Sequence, residues 1–151
     1  MKATDLLKKQ HKEVKGLFKK MEKTEDARGR RQLMEQIGQM LQMHTRIEEE
    51  IFYPAVRGLE TRKAEEMVAE AFEEHHVVDL VLGELPRVDP EDERFEAKMT
   101  VLSELVEHHA EEEEEEMFKL AQRLGDDELK ALGERMQASM GQEMGRGRKA
   151  A

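Results

Sequence analysis

Four long stretches of this chain repeat their apolar residues every three or four positions, and no segment sustains an alternation of period two. Such spacing lines one face of an α-helix with core residues, so the repeat predicts an all-α protein. The stripes are Leu7, Val14, Phe18 and Met21 within 4–21; Leu33, Ile37, Leu41, Ile51 and Ala55 within 30–57; Val68, Phe72, Val78, Leu82 and Leu85 within 61–85; and Phe95, Met99, Leu102, Val106, Met117, Leu120 and Leu124 within 90–124. The breaks agree with this division. Residues 24–29 are polar and read as a turn. Pro54 lacks a backbone donor and should kink or end its helix, with Gly58 as the cap. Pro86 closes the third helix, because the residue before a proline avoids the α region. Asp89-Pro90 reads as an N-cap followed by proline at the first helical position. Gly125 stops the fourth helix; a shorter one over 126–140 and a loose tail follow. Short turns between amphipathic helices imply an up-down-up-down four-helix bundle over 1–125, with 126–151 as an additional C-terminal helix and flexible tail.

The chain has 151 residues, enough for one domain with its own core. It has no cysteine, which excludes disulfides, thiolate metal sites and a cysteine nucleophile. A net charge of -10 disfavours nucleic acid or an anionic membrane as partner and suits a cation binder. No apolar run is long enough for a membrane span or a signal segment, so the expected location is cytoplasmic.

The six histidines all fall on the four long helices. His11, His44, His75 and His109 complete the apolar stripes at spacings of three or four, and recur at steps of 33, 31 and 34 residues. In antiparallel helices those steps bring the four to similar height, provided part of 86–94 overhangs or belongs to a loop. In the doublets, His109 has the more apolar neighbours than His108, and His75 is favoured less clearly over His76. His44 with Glu48, and His109 with Glu113, each set two donors one turn apart on one face; His108 with Glu112 is the competing pair. Burying four imidazoles and two carboxylates without partners costs about several kcal/mol. Metal ions supply the common partner, since a carboxylate can bridge two ions and an imidazole caps one. Added carboxylates favour iron or manganese. Most of the run Glu111 to Glu116 wraps round the helix into water, with Glu113 alone on the stripe. Tyr53, the only tyrosine, lies near enough to approach the pocket or simply to pack at the bundle end.

The stretches LLKKQHKEVKGLF, HTRIEEEIFYPA, EEHHVVDLVLGEL and HHAEEEEEEMFKLA resemble the hemerythrin HHE cation-binding family, in order, over about residues 4–124. The resemblance implies a non-haem centre of two iron ions, oxo- or hydroxo-bridged when oxidised, held by His11, His44, Glu48, His75, His109 and Glu113. It implies a small diatomic or peroxide ligand, bound, sensed or transformed. Peroxide disproportionation or ferroxidase chemistry is open alongside simple binding. Iron handling and a purely structural metal are the alternatives. Two positions depart from the family pattern. Lys119 stands where the second motif usually has proline. Asp79 stands four residues after His75, where oxygen-carrying hemerythrins have a fifth histidine; this leaves one iron more open or lets Asp79 ligate, and argues against simple reversible oxygen storage.

Overall fold

Helix α1 (Ala3–Lys23) and helix α2 (Ala27–Ile47) pack side by side, joined by a three-residue turn. The computed structural model describes the backbone of residues 1–150 and the side chains of 1–143. The turn is shorter than the expected 24–29, because Asp26 caps α2 by accepting the Gly29 N–H at 2.8 Å. A π-helical turn, Glu48–Phe52, continues α2 into α3 (Tyr53–Arg57). Gly58 ends α3 in a right-handed conformation, and the left-handed residue of this connection is Glu60, at φ 57°.

Thr61 caps helix α4 (Arg62–Glu84). Leu85 keeps the α conformation despite preceding proline, and Leu85–Arg87 forms a single 3-10 turn. Asp89-Pro90 does not open the next helix, contrary to expectation. Asp89 accepts the Glu91 N–H at 2.9 Å within a turn, and Asp92 caps α5 (Glu93–Glu112) by accepting from Arg94. Residues 88–92 therefore form the loop that lets His109 reach the height of His75. Arg30 donates to the Pro90 carbonyl at 3.1 Å and Arg31 to that of Pro86 at 3.3 Å, satisfying loop carbonyls that lack helical partners. A second π-helical turn, Glu113–Met117, leads into α6 (Phe118–Ala121) and a 3-10 turn. Gly125, at φ 89°, reverses the chain where a side chain would strain the backbone. Helix α7 (Asp126–Ala150) is longer than the expected 126–140.

The fold is an all-α bundle, with α7 laid against α1 and α2. Among the described residues no helix is long and apolar enough to cross a membrane. Its core has two apolar halves. One joins Leu7, Ile47, Phe52, Val68 and Met117 to Leu129, Leu132 and Met136 of α7. The other holds Val14, Phe18, Ile37, Val78, Phe95 and Leu102. Along α1, α2, α4 and α5 the inward histidine lies between these halves, so a polar layer crosses the bundle at mid-height. One expected stripe residue lies outside: Phe72 is 38% exposed and leans edge-on against the Tyr53 ring at 5.6 Å, while Ala71 takes the inward position.

Two glycines test how tightly α7 is seated. A Cβ on Gly133 would lie 2.0 Å from the Met1 carbonyl oxygen and 3.0 Å from the Ala3 nitrogen, whereas one on Gly83 meets nothing within 4 Å. Alanine in a helix is favoured over glycine by about 1 kcal/mol, and overpacking costs about 1–3 kcal/mol. Gly83→Ala should therefore raise the urea midpoint and Gly133→Ala lower it; a rise in both would mean α7 is loosely held.

Candidate metal centre

The layer brings together all six residues singled out from the sequence. His11, His44, Glu48, His75, His109 and Glu113 are buried, none more than 7% exposed. Their inward donor atoms form two groups, His11, His44, Glu48 and Glu113, and Glu48, His75, His109 and Glu113, each with its atoms within 4.8 Å of one another. Glu48 and Glu113 belong to both. His11 Nε2 lies 3.1 Å from Glu113 Oε1, and His109 Nε2 lies 3.1 Å from Glu113 Oε2. Glu48 Oε1 is 3.1 Å from His75 Nε2 and 3.2 Å from His44 Nε2.

Each shared glutamate is the first residue of a π-helical turn. The Glu48 carbonyl accepts from Tyr53 and the Glu113 carbonyl from Phe118, five residues on. Pro54 follows the first turn and Lys119 stands at the corresponding place after the second, so the widening accompanies the buried glutamate and does not require the proline. Single π-helical turns of this kind concentrate at functional sites.

Outside the layer, every inward histidine has a partner on Nδ1. Gln10 Oε1 lies 2.6 Å from His44, Glu49 Oε2 2.8 Å from His75, Glu74 Oε1 2.8 Å from His109, and Glu114 Oε2 3.2 Å from His11. With Nδ1–H donating outward, each Nε2 turns its lone pair into the layer, the arrangement by which metal-bound histidines are oriented.

Two polar atoms of the layer find no partner among the others. His44 Nε2 and Glu48 Oε2 are buried without a hydrogen-bond partner. The Nε2 atoms of His75 and His109 face each other at 3.1 Å, a repulsive pairing unless a proton or cation lies between them. Charge tells the same story. Burial alone would lower the histidine pKa values, but the hydrogen bond and charge of Glu113 outweigh it at His11, and Glu48 does so at His75. His109 is raised too, against its burial, by the charge and hydrogen bond of Glu113 with help from Glu48 and Glu74. Burial would raise Glu48, yet the charge of His44 and hydrogen bonds from its neighbours hold it well below the usual carboxyl value. Without metal, protons on His11, His75 and His109 take the place that cations would fill. Four imidazoles and two shared carboxylates therefore suit metal binding.

Tyr53, left open by the sequence, lies in the layer. Its Oη is 3.1 Å from both His75 Nε2 and His109 Nε2, and it donates a short hydrogen bond to Glu113. Burial, then the charges of Glu48 and Glu113, push its pKa well up, so it stands as a neutral phenol. Tyr53→Phe strips a buried carboxylate of a donor and should cost the metal-free protein about 1.5–3 kcal/mol in chemical denaturation; an unchanged midpoint would show the bond to be unimportant.

The remaining candidates lie outside. His76 and Asp79 are exposed, and Asp79 joins neither group. His108 is 65% exposed at its side chain and faces Glu112 and Glu74 on the surface, so the competing pair does not enter the layer. Within the glutamate run Glu113 is the one that enters, as expected, but Glu114 is not a mere solvated charge, since it orients His11. Gln10, Glu49, Glu74 and Glu114 escaped sequence reasoning. Their one signal is adjacency: each is next to an inward donor of its own helix, while serving the histidine of another.

Residues 2–121 match the hemerythrin HHE cation binding domain. The Mycobacterium tuberculosis H37Rv protein Rv2633c is 30% identical over 145 residues, covering 94% of this chain and 87% of its own length. A crystal structure of a hemerythrin HHE cation binding domain-containing protein from Mycobacterium kansasii, a homolog of Rv2633c, aligns with a TM-score of 0.84 at 31% identity, covering 97% of this chain and 89% of that one. A DNA nickase from Nostoc is 25% identical over 118 residues, which is 78% of this chain but 33% of the nickase. The buried His/Glu layer lies wholly within the matched span, and this chain belongs to the hemerythrin HHE cation-binding domain family.

Proposed function

We propose that the layer would hold two iron ions through His11, His44, His75 and His109 with Glu48 and Glu113 common to both donor groups, and that the protein binds, senses or reacts with O2, peroxide or nitric oxide there. The observation that carries this reading is the pair of four-residue groups sharing two buried carboxylates. Bound iron would supply the redox change and an open coordination position for the small ligand.

The chain's own residues set the terms. A cavity of about 20 Å³ adjoins the four histidines, walled by Val14, Met40, Leu41, Val78 and Val106. That is room for about one water-sized molecule, a size that supports a very small ligand over an organic substrate. Its apolar walls keep bulk water from the layer, while the Tyr53 phenol holds a proton within it. A second reading, iron handling with oxygen incidental, draws on Glu74: while orienting His109, it also faces His108 and Glu112 at the surface.

The test is the visible spectrum of iron-loaded protein, reduced without oxygen and then exposed to air. Ferric charge-transfer bands at two irons per chain are the expected result. Reversal on removing oxygen would favour carriage or sensing, and irreversible oxidation a protective role. Absence of bands, or fewer than two irons, would overturn the oxygen reading and leave iron handling or a structural metal.

A further inference from the structure

The Nδ1 partners form a closed ring around the bundle. Gln10 of α1 orients His44 of α2; Glu49, just past α2, orients His75 of α4; Glu74 of α4 orients His109 of α5; and Glu114, just past α5, orients His11 of α1. Each segment thus holds the histidine of the next. Three members of the ring are carboxylates, and one, Gln10, is a neutral amide.

The amide is built into its place. Gln10 is 3% exposed, so water does not substitute for it. Its Nε2 donates to the Met140 sulfur of α7 at 3.3 Å, which turns its oxygen toward His44. Met140 lies outside the matched span 2–121, so the part of the chain beyond the domain sets this orientation.

We propose that the two metal positions are unequal, and that Gln10 makes the His11–His44 position the weaker one, filled second and emptied first. This rests on the two-ion reading above. A carboxylate behind an imidazole raises its basicity and offsets part of the charge of a bound dication; a neutral amide orients the ring without doing either. The His75–His109 position has two such carboxylates, both at 2.8 Å. The His11–His44 position has one, Glu114, at 3.2 Å. The His and Glu donors are of the same kind on each side, two imidazoles and the same two glutamates, while the Tyr53 hydroxyl stands on the His75–His109 side alone.

The experiment is a titration of metal-free full-length protein with Co²⁺, followed by visible absorption and calorimetry. Wild type should bind two ions in steps about 10-fold or more apart, the effect of one outer partner on metal affinity. Gln10→Glu should tighten the second step about 10–100-fold and leave the first, closing the gap. Glu74→Gln should weaken the first step instead. A merely structural role for Gln10 would weaken both steps or neither, and would not tighten one. Two ions entering wild type with equal affinity, or an unaltered second step in Gln10→Glu, would overturn the inference while leaving the two-ion reading intact. Fewer than two ions in wild type would overturn both. Should Gln10→Glu fail to fold, Glu74→Gln decides: loss confined to the tighter step supports the inequality, and equal loss at both steps overturns it.

Discussion

Replacing Glu113 with Ala is expected to reduce bound metal from the two ions per chain proposed above to fewer than one. Glu113 belongs to both donor groups, with one oxygen toward His11 and the other toward His109. Its removal takes a ligand from each position at once, which exceeds the 10–100-fold loss typical of an outer partner. The metal-free protein should also suffer. Removing one partner of a buried ion pair costs about 3–5 kcal/mol. The lower end applies here, because His11 and His109 can release protons once the carboxylate is gone. Metal analysis of purified protein checks the first effect, and urea unfolding of the metal-free protein the second. Glu116→Ala, at an exposed position of the same run, is the control and should alter neither. Two tightly held ions in Glu113→Ala would sink the assignment of the layer as the metal centre.

Metal should stabilise the fold strongly, and more so as pH rises. At a free concentration a thousand-fold above Kd, one bound ion adds about 4 kcal/mol, which for a chain of this size raises Tm by on the order of 10 °C. The pH dependence follows from the two kinds of shifted group. The raised pKa values of His11, His75 and His109 stabilise the metal-free fold fully below the ordinary imidazole value of 6.5, and this contribution fades as pH rises through the folded values. The lowered Glu48 contributes fully above the ordinary value of 4.5, and that contribution is lost as pH falls through its folded value. The metal-free protein is therefore most stable between these two values. Metal competes with the histidine protons, so its uptake releases protons and weakens in acid. Thermal unfolding with and without Zn²⁺, a redox-inert probe, should show a larger gain at about pH 8 than at about pH 6. A gain that grows on acidification would contradict this account of the layer's charge.

Much of the layer was legible because an α-helix converts linear spacing into a face. His11 falls between Leu7 and Val14, and His44 between Leu41 and Ile51, so inward direction follows from helical geometry alone. The choice of His109 over His108 rested on apolar neighbours, and burial favours residues that share a face with leucine and valine. Helix starts were harder. Asp89-Pro90 and Asp92 are both sound caps locally, and the choice fell to Asp92 because arginines of α2 hold the preceding loop in place. Phe72 was misplaced because an aromatic flank residue fits the same periodicity as a core residue, and its ring leans over Tyr53.

By itself, then, the sequence determined the all-α class, the approximate course of the four long helices and the inward direction of the six donors, since these follow from spacing within single helices. Tertiary structure alone decided which side chains stand behind those donors. Gln10, Glu49, Glu74 and Glu114 act on histidines between 26 and 103 residues away, across helix pairs whose relative rotation no local periodicity specifies. The same holds for Tyr53, which follows a π-helical turn and lies in the layer where α3 packs against α4.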